Sequence, residues 1–171
     1  MKYLGIILIA ILACNTSNSQ DRTYQKCEIR AFTSPFTKDA LSIYNEIDGQ
    51  VIISFYVDSL ELTGHIVSVI ASKDGWLQIS TDGFSEGLFA WVKGGKLGVA
   101  TRNYNGETIF LYKEPTKEAK ALGYITEQQI VAIYAGNKQW ALVKAKNKNG
   151  EWIEGWLESE MQCGNPYTIC P

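Results

Sequence analysis

The chain has 171 residues, 46% of them hydrophobic and 12% aromatic, which is ample for a packed core and excludes a disordered chain. Sixteen basic side chains stand against eighteen acidic ones, with both signs interspersed, and this near-neutral balance excludes strong electrostatic attraction to nucleic acid or to an anionic membrane surface. The length accommodates one ordinary domain or two small ones.

Residues 1–19 have the character of an export signal. Met1-Lys2 supplies a positive start, and Leu4 to Ala13 is an uninterrupted apolar run. Ten residues are too few to span the roughly 30 Å hydrocarbon core of a bilayer as a helix. Ile11 to Cys14 resembles a bacterial lipobox, in which a small residue precedes a cysteine that becomes lipidated and N-terminal. That resemblance implies Cys14 as the lipidation site and membrane contact only through a lipid anchor. Ordinary cleavage after Ser19 is the alternative, since Ser17 and Ser19 offer small residues at the required spacing. Either route places the protein in the cell envelope, in the periplasm or on the outer surface.

The lead that follows, 20–39, is polar and mixed and is interrupted at Pro35, so a tether that becomes ordered near Cys27 is expected. Beyond it the chain repeats itself. Val67 precedes Trp76 by nine residues across a polar, Gly-containing turn, and Val131 precedes Trp140 by nine across another. Upstream, Ser42 to Glu46 matches Phe110 to Glu114; downstream, Ala90 to Gly94 matches Gly155 to Ser159. The offsets are 68 at Tyr44/Tyr112, 64 at Trp76/Trp140 and 65 at Trp91/Trp156. Two copies of one unit are therefore expected, at 40–100 and 108–171, joined by 101–107.

Each copy has the pattern of β structure: short blocks rich in Val, Ile, Tyr and Trp, alternating with period two and separated by turn residues. Asn149-Gly150 predicts a tight hairpin between the strands on either side, and Asp82-Gly83 stands at the equivalent place in the first copy. Pro115 confines the residues after it to loop or edge. Thr116 to Gly123 predicts a loop entering a strand. About five short strands in about 60 residues is the pattern of a small barrel.

At this point the second copy resembles the bacterial SH3 (SH3b) family, through Leu111, Tyr112 and Pro115, then Gly123 and Ile125, then Val131, Ile133, Trp140 and Val143, then Gly155, Trp156 and Leu157. The first copy lacks the proline, lengthens the stretch from tyrosine to tryptophan by four residues, and carries Ala90 where the second has Gly155. The resemblance implies an all-β fold of two tandem small SH3-like β-barrels. It also implies a binding role, toward a cell-wall peptide or glycan.

The tryptophans admit two readings. A barrel of about 60 residues buries only about 60% of the surface its unfolded chain exposes, and one aromatic side chain can bury roughly 150–250 Å². Trp76 and Trp140, each opening a strand after a turn, would then cover a barrel end. Alternatively, aromatic rings line a ligand groove, for which Tyr44, Trp76, Trp91, Tyr112, Trp140, Trp152 and Trp156 are the candidates. Strand parity puts Trp152, Glu154 and Trp156 on one face and Ile153, Gly155 and Leu157 on the other.

Catalysis finds little support. His65 is the sole histidine, Cys27 has no nearby histidine partner, and Glu158 with Glu160 has the character of a solvated acidic face. No phosphate-binding loop or metal-ligand spacing occurs, so no cofactor and no metal are expected. Cys163 and Cys170 bracket an Asn-Pro turn and are expected to form a disulfide in an oxidising compartment. Cys27 is then unpaired, unless it captures one of them. The function expected is binding without catalysis, to a cell-wall peptide or glycan, or else to a protein of an envelope complex.

Overall fold

The computed structural model describes residues 24–33, 40–55, 65–80, 89–165 and 167–170. The signal segment and Cys14 lie outside them. The protein is all-β: thirteen strands join in one antiparallel sheet, and the only helical element among the described residues is a single 3-10 turn, Ser159–Met161. In chain order the strands are β1 (Gln25–Thr33), β2 (Leu41–Tyr44), β3 (Val51–Phe55), β4 (Ile66–Lys73), β5 (Trp76–Ser80), β6 (Phe89–Lys93), β7 (Leu97–Thr101), β8 (Ile109–Tyr112), β9 (Ala121–Ile125), β10 (Ile130–Asn137), β11 (Trp140–Lys146), β12 (Trp152–Leu157) and β13 (Gln162–Cys163).

The spatial order is β3-β2-β6-β5-β4-β1-β7-β10-β11-β12-β8-β9, with β13 alongside β7. The first six strands and the next six therefore follow the same internal order, β3-β2-β6-β5-β4-β1 and β9-β8-β12-β11-β10-β7. Even the irregularities repeat. The β4–β5 ladder shifts register between Val69 and Ala71, and the β10–β11 ladder shifts between Ile133 and Ala135. The β2–β3 and β8–β9 ladders shift at Tyr44 and Tyr112. An extra residue bends a strand and increases its twist, so bulges at matching places give both copies the same curvature.

Two sequence expectations are corrected here. The lead over 25–33 is not a tether: it is β1, paired along most of its length with β4 from Gln25↔Ser72 to Phe32↔Ile66. Its side chains alternate, with Cys27, Ile29 and Ala31 buried and Lys26, Glu28 and Arg30 exposed, which is the signature of a half-buried strand. Second, the copies share a strand. One edge of β7 pairs with β1 (Phe32↔Gly98) and, further along, with β13 (Cys163↔Ala100); the other pairs with β10 from Ile130↔Ala100 to Ile133↔Leu97. So β7 closes the first copy as β13 closes the second, and it also opens the second as β1 opens the first.

Because β7 serves both halves, one hydrophobic core runs through them. Ile29, Val69, Leu77, Ile79, Leu97 and Val99 belong to the same buried cluster as Ile133, Val143 and Leu157. Polar contacts also cross the junction. The Ser72 hydroxyl donates to the Gly136 carbonyl at 2.8 Å and accepts from the Gly136 N–H at 3.0 Å. Lys138, in the β10–β11 turn, exchanges backbone bonds with β1: its N–H donates to Lys26 O at 2.9 Å, and Glu28 N–H donates to its carbonyl at 2.6 Å.

Turns differ in kind from the sequence expectation. Among the described residues, the two-residue turn with positive φ at both positions is Asp74-Gly75, with φ 50° and 81°; Asp82-Gly83 lies outside them. The loop at Asn147–Glu151 is longer than a two-residue hairpin. The Asn147 side-chain oxygen accepts from the N–H groups of Asn149 and Glu151, and Gly150 takes the left-handed conformation at φ 80°. Cys163 and Cys170 form the expected disulfide, with Cα atoms 5.5 Å apart.

Cys27 remains a free thiol, buried, with burial pushing its pKa up to about 12. It sits where β10 packs tightly against β1: a Cβ on Gly136 would stand 2.6 Å from Cys27 Sγ and 2.9 Å from Ile29 Cδ1. Gly136→Ala is therefore expected to destabilise the protein by about 1–3 kcal/mol through overpacking. Cys27→Ala in the same chain should recover part of that loss, giving a coupling of at least ~0.5 kcal/mol in a double-mutant cycle of denaturation midpoints. Strictly additive effects would contradict this close approach.

Candidate functional site

The junction tryptophans form two matching clusters. Tyr44 stands opposite Trp91 across the β2–β6 pair, and Tyr112 opposite Trp156 across β8–β12. Trp76 meets Tyr44 edge-to-face, with ring centroids 4.9 Å apart at 88°; Trp140 meets Tyr112 in the same way at 5.7 Å and 88°. Both geometries suit the ring quadrupole, with the positive edge of one ring on the negative face of the other. Trp76 is 6% exposed, with the Lys93 ammonium 5.4 Å from its ring centroid and 5.9 Å from that of Tyr44. Trp91 is half-buried beneath Tyr24, edge-to-face at 6.4 Å, and the Tyr24 hydroxyl donates to Gln78 Oε1 at 2.7 Å.

The residue matching Lys93 in the second copy is a carboxylate: Lys93 pairs with Trp76 in the first copy, and in the second Glu158 directly follows Leu157, which pairs with Ala141. Glu158 is not part of a solvated acidic face. Its side chain is 13% exposed and ion-paired with Lys117, which also lies 3.7 Å from Glu160. The hydrogen bond to Glu158 holds the Lys117 ammonium above its usual pKa. A notch of about 530 Å³ beside Trp140 is lined by Lys26, Cys27, Lys138 and Ser159, among others.

The larger concavity lies elsewhere, on the outer face of β10–β12, where the β6–β7 turn of the first copy docks. It is a groove of about 920 Å³ lined by Gly95, Gln129, Ile130, Ala132, Tyr134, Lys144, Lys146, Trp152 and Glu154. Strand register assembles it directly. Ala132 pairs with Lys144, Lys144 with Glu154, and Lys146 with Trp152, so these side chains stand in adjacent rows on one face. The opposite face carries Val131, Ile133, Val143, Ala145 and Leu157 into the core. The parity expected for β12 is observed: Trp152 and Glu154 face the groove, Gly155 and Leu157 are buried, and Ile153 packs against the core.

Each cross-strand pair makes a defined contact. Lys144 Nζ lies 3.1 Å from a Glu154 carboxylate oxygen and 5.0 Å from the Tyr134 ring centroid, and that hydrogen bond holds its pKa above the usual lysine range. Lys146 Nζ lies 5.1 Å from the Trp152 ring centroid. Trp152 is 68% exposed, so most of its ring remains available to a partner. The Gln129 side-chain amide donates to the Lys146 carbonyl and accepts from its N–H, both at 2.9 Å, which holds the end of β11 in place.

The wall from the first copy depends on two glycines. Gly95, at φ 85°, donates its N–H to Ile133 O at 2.6 Å, and a Cβ there would sit 3.1 Å from the Tyr134 ring. A Cβ on Gly94 would come 2.8 Å from the Tyr134 carbonyl. Tyr134 itself occupies the β10 bulge, between Ile133↔Val143 and Ala135↔Leu142, which turns it toward the turn.

Of the seven aromatic candidates, then, only Trp152 lines the large groove. Trp140 lines the smaller notch and also belongs, with Tyr44, Trp76, Trp91, Tyr112 and Trp156, to the two clusters. Tyr134, Lys144, Lys146 and Gln129 were not anticipated from the sequence. The common parity of Lys144 and Lys146 within β11 was readable, but the pairing that sets them beside Trp152 was not. His65 stands exposed at the start of β4, with its backbone bonded to Thr33. Among the described residues, no group of three or more His, Cys, Asp or Glu is placed to hold a metal ion, and no helix is long and apolar enough to cross a membrane.

No family model matches the chain, and no curated protein matches it. Two solved structures from Trichomonas vaginalis align with it. NlpC2 is 14% identical over 80% of this chain and 48% of its own, with a TM-score of 0.30. NlpC1 is 12% identical over 94% of this chain and 51% of its own, with a TM-score of 0.32. The chain thus spans about half the length of these structures, and a likeness this distant transfers neither fold nor activity.

Proposed function

We propose that the protein is an exported, lipid-anchored binding protein without enzymatic activity, in which two SH3b-like barrels fused through β7 hold a cell-wall peptide or glycan. The observation that carries this reading is the groove on β10–β12. An exposed indole and a tyrosine ring form an apolar shelf there, and two ammonium groups and a carboxylate supply hydrogen bonds along it. Such a mixture of flat apolar surface and few polar groups suits a sugar ring or an extended peptide. The strand order repeated in both copies supports the two-barrel description. The apolar Leu4 to Ala13 run and Cys14 support export and anchoring.

Co-sedimentation with purified peptidoglycan sacculi tests this. Saturable binding is expected, weakened at least about 30-fold in Trp152→Ala, a change of hot-spot size, while the fold is retained. No binding by folded protein would sink the wall-ligand reading. A second reading, a scaffold for an envelope protein, is favoured by a different face. Phe110 pairs with Tyr124 across β8–β9, their rings 6.3 Å apart, and both are exposed together with Leu122. Loss of a co-purifying envelope partner in Phe110→Ser, with Trp152→Ala unaffected, would select that reading.

A further inference from the structure

Resting on the groove as the ligand site, we infer that its ligand carries a carboxylate, which Lys146 receives while an apolar or ring face of the same ligand lies on Trp152 and Tyr134. The charges within the groove are unequal: Lys144 and Lys146 against Glu154 leave one net positive charge, on a chain whose net charge is −2. Glu154 is engaged with its cross-strand neighbour Lys144 at 3.1 Å. The cross-strand neighbour of Lys146 is an indole, and among the described residues no carboxylate lies within ion-pair distance of Lys146.

A ring face attracts an ammonium, but it does not satisfy three N–H donors. The Gln129 side-chain amide in the groove is also committed, because both its polar atoms are bonded to the Lys146 backbone. An anion arriving at Lys146 would make a charge-assisted bond beside Trp152, and the aromatic wall would limit its screening. One unneutralised ammonium matches a singly charged carboxylate. A dianionic group would keep an uncompensated charge facing Glu154.

Carboxylates of this kind come from a peptide terminus or acidic side chain, or from a sugar acid, so the test has two arms. The purified full chain is titrated calorimetrically with a synthetic stem tetrapeptide and its fully amidated form, and with N-acetylmuramic acid and its methyl ester. The acid of at least one pair is expected to bind about tenfold tighter than its neutral form. Lys146→Gln should abolish that difference without weakening the neutral form, while Lys148→Gln, in the exposed turn, should leave it intact. The arm showing the difference identifies the source. Equal binding of acid and neutral forms, both lost in Trp152→Ala, would overturn the carboxylate inference and leave the groove standing. No binding of any probe by folded protein would overturn both.

Discussion

Val99→Asp is expected to unfold the entire chain in a single transition, including strands that Val99 does not touch. Val99 is fully buried in β7, opposite Val131, and belongs to the core cluster common to both halves. An aspartate there is either ionised without a partner or protonated at a raised pKa. Together with the lost methyl groups, the penalty is on the order of 5 kcal/mol. The whole stability of a domain is only about 5–15 kcal/mol. Were the halves independent, damage to one would leave the other folded. Because β7 pairs with β1 on one edge and with β10 on the other, its loss strips both halves of an inner strand. Amide hydrogen exchange distinguishes the cases: β5 and β11 should lose protection together, and persistent protection in either would show that the halves fold separately.

Trp76→Ala is expected to lower stability by about 3–5 kcal/mol, while Trp152→Ala changes it by less than about 0.5 kcal/mol. The first removes a ring that is 6% exposed, packed edge-to-face on Tyr44 and covered by Lys93. The second removes a ring that is 68% exposed and leans on a single lysine. Denaturant midpoints at unchanged slope measure both. Similar losses in the two variants would contradict the division between a cluster that stabilises the fold and a groove that is free to bind. In the first copy burial explains why tryptophan follows the turn, since the Trp76 ring caps the β2–β5–β6 region without any ligand; Trp140 in the second copy is only half-buried.

The register irregularities show how far the internal repeat extends. The sequence matches at Tyr44/Tyr112 and Trp76/Trp140 predict equivalent strands, and the bulges recur at equivalent places in both. Parity in β12 was legible too, since a period of two leaves no freedom once a strand is recognised. The frame of the repeat was not. The counterpart of β1 is β7, and the two share no matching block: in β1 Cys27, Ile29 and Ala31 alternate with charged residues, whereas β7, an inner strand, is buried almost throughout. The environment of Glu158 escaped for another reason: its partner Lys117 comes from a loop forty-one residues earlier.

Local sequence by itself determined that this is an all-β chain with two copies of one strand pattern, that Cys163 and Cys170 lie close enough to bond, and which face of β12 each side chain takes. These depend on propensity, alternation and short-range closure, all of which act within a few residues. Only the tertiary structure decided that β7 is shared, that one core runs through both halves, and that Tyr134, Lys144, Lys146 and Trp152 line one groove beneath the Gly94-Gly95 turn. The reason is physical: pairing register and strand order are set by burial summed over the whole sheet, and a one-residue slip in any ladder would carry these side chains to the opposite face.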